Sequence, residues 1–245
     1  MVLTFFFFSF FTVAMGMVAK TARDAYFLSR FEKSILPLMF LAVAVVIAPT
    51  LTYYTKLTNK FSPRKLFIIT CSIFTGSFIL IQPLISGLFI PVAYIWVEIV
   101  VAIMLIQFWT FTSSSLEPQQ AKRLFGIIGG GGSFAVMLIG MNLKPFVKAF
   151  GTDELLIVAA GFLIIAFVFG ILSIQYFNKI PVKKGAAKKA SKKKKRKKDP
   201  FIIGIGTIVA LSAIVTVLVD YQFKIIASST FPNEADLVAF FGSFY

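Results

Sequence analysis

The sequence predicts an all-α polytopic membrane protein, and three observations carry that prediction. The 245 residues are 58% hydrophobic, with thirty phenylalanines and a mean hydropathy of +0.88. A water-soluble domain has no core large enough for so many apolar side chains. Several runs approach the ~20 apolar residues that a helix needs to cross a bilayer. The alternating ten-residue segments of a transmembrane barrel are absent.

Hydropathy places spans at 4–26, 34–54, 66–85, 91–111, 124–141, 155–177 and 201–223. The first follows no basic residue and has no convincing cleavage site, so it reads as a span rather than a signal peptide. An eighth span starts at 236–245. Ten helical residues rise only ~15 Å, too little to cross, so the expectation is a fragment or an incomplete gene product.

Lysine and arginine set the orientation. Lys56, Lys60, Arg64 and Lys65 lie in the second connection with no acid beside them, and Lys122 and Arg123 lie in the fourth. The connection at 178–200 is more basic still: 179–198 holds twelve Lys and Arg. The first, third and fifth connections (30–33, 86–90 and 144–154) are uncharged or mixed in sign. The N-terminus is therefore expected in the cytoplasm.

This layout divides the chain into a six-helix half (1–177), a polybasic cytoplasmic linker (178–200) and the start of a second half (201–245). It is the layout of a major-facilitator-like N-terminal six-helix bundle, plus a seventh span and the start of an eighth. In such transporters two halves rock around a site near the midplane.

Composition weighs against enzyme classes. There is no histidine, and Cys71 is the single cysteine. That removes histidine acid–base chemistry, the commonest metal ligand and any internal disulfide. No nucleophile–base pairing or cofactor motif is evident, so neither an enzyme nor a bound cofactor or metal is expected. The run GIIGGGGS (126–133) lacks GxxxxGK[ST] and follows no strand. It reads as close helix–helix packing or as a flexible break in the fifth span. The lysines of 183–198 have no interleaved aromatics for stacking bases. They point to anionic lipid headgroups, not nucleic acid.

Charges inside the spans are the candidate functional residues, because a charge at membrane depth costs several kcal/mol and usually marks a cavity or pathway. Lys20, Arg23 and Asp24 share one face of the first helix at i, i+3 and i+4. They sit at depth if the helix continues through Tyr26 and Phe27; if it ends at Val18, they are snorkelling residues at the interface. Glu98 stands alone about two turns into the fourth span. It must be protonated or hold a cation from another span, and Lys20 or Arg23 is the obvious partner. Asp220 and Lys224, at i and i+4, either pair within their helix or turn toward a central cavity.

Several stretches together resemble the bacterial and plastid ATP/ADP translocase family, nucleotide transporters distantly related to the major facilitators. AKTARDAYFL is similar to the family's arginine-x-x-lysine-aspartate segment, with Lys20 at the arginine, Arg23 at the lysine and Asp24 at the aspartate. YYTKLTNKFSPRKLF resembles the family's loop after the second span. VEIVVAIMLIQFWTF and AKRLFGIIGGGGS resemble its fourth span and the start of its fifth, with Glu98 at the acidic position. VLVDYQFKIIASSTFPNEADLVAFFGSF resembles its seventh span and the start of its eighth, with Asp220 at a glutamate and Lys224 at a lysine. Three of these positions swap within charge type, and serines at 113–115 replace an asparagine.

The resemblance implies ATP/ADP exchange by alternating access in a bacterial inner membrane. Lys20 and Arg23 would bind phosphate, and Glu98 would hold both cations when no nucleotide is bound. Asp24, Asp220 and Lys224 would complete the site. The other readings are a carrier of another organic anion and a transporter-like module that senses or anchors. With most of a second half missing, the fragment alone is not expected to transport.

Overall fold

The computed structural model describes residues 1–84, 89–152, 154–177, 200–231 and 233–244. Among them lie eight α-helices: α1 (Val2–Arg30), α2 (Leu36–Lys60), α3 (Pro63–Ile81), α4 (Phe89–Ser115), α5 (Pro118–Phe150), α6 (Leu155–Phe177), α7 (Pro200–Thr230) and α8 (Glu234–Phe244). There is no strand among the described residues. The first seven helices are long and apolar enough to cross a membrane. The chain is an all-α, multi-pass membrane protein. The polybasic segment and its lipid-binding expectation at 183–198 lie outside the described residues.

The helix α1 is the axis of the bundle, flanked by α4, α5, α6 and α8, while α3 leans on α6 and α2 on α4. Its phenylalanines explain much of the unusual composition. Phe8 meets Phe67 of α3 and Phe108 and Phe111 of α4, and Phe7 and Phe11 stack on Phe169 of α6. Edge-to-face and offset pairs of this kind add about 0.5–1.5 kcal/mol each beyond area burial. Aqueous hydrophobicity does not drive helices together inside lipid, so such contacts and interhelical hydrogen bonds must do so. Gln107 donates to Thr70 (2.7 Å), and Trp96 donates to Ser77 (2.8 Å), joining α4 to α3.

Several helices run past the hydropathy bounds: α2 ends at Lys60 rather than 54, and α7 at Thr230 rather than 223. The fifth helix covers 118–150 rather than 124–141. Lys122 and Arg123 near its start and Lys144 and Lys148 near its end are exposed. Long cationic stems can lie along a helix while the charge reaches water, so charged residues do not mark the end of the helix. The connection expected at 144–154 shrinks accordingly to the residues after Phe150. Gly151, at φ +87°, terminates α5 in a conformation that other residues rarely adopt.

The glycine run lies within the unbroken α5. A β-carbon on Gly131 would strike the backbone carbonyl of Phe6, and one on Gly132 would press on Val13 and the Ser9 hydroxyl. Gly126, Gly129 and Gly130 face open space. The close-packing reading therefore holds at 131 and 132, where α5 approaches α1 more closely than any side chain permits.

Candidate functional site: an ion-pair chain joining three helices

Three helices bring their charges to one level. Lys20, Arg23 and Asp24 lie six to ten residues before the end of α1, Glu98 nine residues into α4, and Asp220 and Lys224 ten and six residues before the end of α7. At 1.5 Å per residue these positions are about 9–15 Å from the helix ends on one side of the bundle. Because α1 continues to Arg30 and buries Arg23 and Asp24, the reading in which the span ends at Val18 does not apply.

The six side chains form one continuous chain. Lys20 Nζ lies 3.2 Å from Glu98 Oε2, and Arg23 Nη1 lies 2.7 Å from Glu98 Oε1. Arg23 Nε donates to Asp24 Oδ1 at 3.2 Å. The other carboxylate oxygen of Asp24 meets Lys224 Nζ at 3.1 Å, and Lys224 meets Asp220 at 2.8 Å. Glu98 thus holds both cations proposed for it. Lys224 makes the pair within its own helix and also crosses to α1, so the two readings of Asp220 and Lys224 are compatible.

Burial is graded along the chain. Asp24, Lys224 and Arg23 are 1, 2 and 5% exposed. The side chains of Glu98, Asp220 and Lys20 are 19, 31 and 37% exposed. The centre is sealed, and its two ends can be reached.

Two aromatic residues complete the surroundings. The Tyr94 ring lies 4.2 Å from the Arg23 guanidinium carbon, and its carbonyl accepts from Arg23 Nη1 at 3.4 Å. The Phe40 ring of α2 lies 5.3 Å from Lys224 Nζ. A cation over an aromatic face gains most where water is excluded. Sequence reading missed both residues, because a tyrosine or phenylalanine in a span carries no mark of its partner. The one available signal was the four-residue spacing from Tyr94 to Glu98, which puts both on one face of α4.

A second polar cluster, also unforeseen, lies at the α1 end of the bundle. Glu234, the first residue of α8, accepts from the hydroxyls of Thr152 (2.6 Å) and Ser29 (3.0 Å) and pairs with Arg30 (3.5 Å). Tyr26 donates to the Thr152 carbonyl at 2.6 Å. Leu237, Val238 and Phe241 of α8 are buried, which seats Glu234 over the end of α1.

Three cations against three carboxylates make the inner chain formally neutral. It has no spare charge to attract an anion. An anion could bind there by displacing a carboxylate from its cations, and Glu98, partly exposed and shared by Lys20 and Arg23, is the most readily replaced. A cleft of about 190 Å³ between α1, α4 and α5 opens beside Lys20. No family model, curated protein or solved structure matches the chain.

Proposed function

We propose that the protein is a membrane transporter that exchanges nucleotides of the ATP/ADP type by alternating access, with its N-terminus in the cytoplasm of a bacterial cell. One observation supports the reading most: a single partly buried carboxylate, Glu98, bridges Lys20 and Arg23. In the empty site Glu98 occupies the positions that phosphate oxygens would take. Arg23 can hold two oxygens at once, and Lys20 acts as a point charge. A nucleotide displaces Glu98, the bond between α1 and α4 breaks, and the helices reorient. Without a nucleotide the lock re-forms and the carrier returns slowly, as one-for-one exchange requires. The orientation rests on the basic residues of the α2–α3 and α4–α5 turns.

The test is uptake of labelled ATP by cells expressing the gene, with unlabelled ADP, phosphate and unrelated organic anions as competitors. Saturable uptake that external ADP chases out is expected. Arg23→Gln should abolish it in protein still folded in membranes, and wild-type exchange by that variant would sink the reading. Glu98→Gln should let nucleotide leak out without an external counter-substrate. Competition by other organic anions but not by ADP would instead assign the same site to a different anion.

A further inference from the structure

The ion-pair chain recognises charge, and charge alone does not separate a nucleotide from inorganic phosphate or a small organic acid. Discrimination needs a second contact that only the intended cargo can make. The cleft beside Lys20 has the form of such a contact. Thr12, Gly16 and Lys20 succeed one another at four-residue steps and share one stripe of α1. Gly16 contributes no side chain, which lets Val101 of α4 close against α1 as one wall of the cleft: an added β-carbon would lie 3.3 Å from it. Leu105 of α4 and Val136 of α5 form further apolar walls. Lys20 stands at one end. At the other, about 12 Å away by helical rise, the Thr12 hydroxyl is buried and has no hydrogen-bond partner among the described residues.

We infer that this groove is the base-binding subsite of the transporter. It takes the flat, apolar-faced ring of a nucleobase, with the Thr12 hydroxyl on the ring's polar edge and Lys20 where base and sugar give way to phosphate. The inference rests on the proposed nucleotide cargo. It adds the statement that cargo is selected on α1 below Lys20, not by the ion pairs. A volume of about 190 Å³ is below the ~300–1,000 Å³ of sites that enclose whole ligands, as befits a slot for one ring. A cation, an apolar slot and one polar group at the far end are what the parts of a nucleotide require in order, whereas an inorganic anion would use only the first.

The experiment is calorimetric binding of ATP and of tripolyphosphate to the purified full-length protein in nanodiscs, comparing wild type with Thr12→Val and Val136→Phe. Thr12→Val preserves shape and removes the hydroxyl; Val136→Phe fills the groove. Wild type should bind ATP at least about tenfold more tightly than tripolyphosphate. Thr12→Val should weaken ATP about fivefold, and Val136→Phe should weaken it more, both leaving tripolyphosphate unchanged. Equal affinity for the two ligands, unmoved by either variant, would overturn the subsite and leave nucleotide exchange standing. Failure of both ligands to bind would overturn both. A co-purifying lipid found by mass spectrometry in wild type and lost in Val136→Phe, with ATP affinity unaltered, would assign the groove to an acyl chain and also overturn the inference.

Discussion

The inner ion-pair chain and the cluster around Glu234 both tie α1 to later helices, yet they differ in kind. In the inner chain Asp24 and Lys224 are almost wholly enclosed. In the outer cluster the side chains of Arg30 and Glu234 are 38 and 19% exposed. A buried charge that loses its partner has no water to replace it, and the loss costs about 3–5 kcal/mol. An exposed pair is screened and contributes about 0–1 kcal/mol. Similar contacts, drawn at similar distances, thus serve different ends: the buried Asp24–Lys224 centre cannot lose a partner cheaply, whereas the outer cluster can open and close at little cost.

The sharpest way to break this contrast is at its buried centre. Asp24→Ala removes the carboxylate that Arg23 and Lys224 share, and should lower stability by about 3–5 kcal/mol, measured by thermal unfolding of the purified protein. Combining Asp24→Asn with Lys224→Met should recover part of the loss, since the two residues are directly coupled. A cost below about 1 kcal/mol for Asp24→Ala would erase the distinction between the two regions.

A middle-sized effect tests the seating of α1, on which both regions depend. Gly131→Ala pushes a methyl against the Phe6 carbonyl and should cost about 1–3 kcal/mol. Gly130→Ala, one residue away but facing open space, should be neutral or gain up to about 1 kcal/mol from helix propensity. The same unfolding assay reads both, and equal effects would mean that α5 does not approach α1 at residue 131.

The smallest effect belongs to the outer cluster. Glu234→Gln keeps one acceptor oxygen, for Thr152, and loses the oxygen that Ser29 and Arg30 share, together with the charge. It should shift stability by less than about 1 kcal/mol, and less again in high salt. A loss as large as that of Asp24→Ala would place the outer cluster in the same class as the inner.

The candidate site was more legible in the sequence than the limits of the helices were. Lys20, Arg23, Asp24, Glu98, Asp220 and Lys224 stood out because each sits in or beside an apolar run, where charge is costly. That cost also made a partner for Glu98 predictable. The crossing from Lys224 to Asp24 spans two hundred residues of sequence, and the local i, i+4 partner Asp220 gave a complete answer without it. Tyr94 looked like any aromatic in a span. Glu234 follows Pro232 and Asn233 and resembled an ordinary acidic residue at the start of a helix. The length of α5 was hidden because hydropathy stops at a lysine while the helix does not. The glycine run signalled close packing, but only the rotation of α5 decides that 131 and 132, and not 129 and 130, meet α1.

The fastening of α7 has a mechanical consequence. Lys224, Ala227 and Ser228 near its end are buried, whereas residues 204–219 stand exposed along almost their whole length. The helix is thus a lever held near one tip, with its fulcrum at the Lys224–Asp24 bond. Pro200 lies twenty-four residues from Lys224, an arm of about 36 Å. A tilt of about 10° at that bond sweeps the far tip through about 6 Å, by simple proportion from the same helical rise. A tilt set at Asp24, only one residue along α1 from Arg23, would be magnified in this way at the far tip of α7.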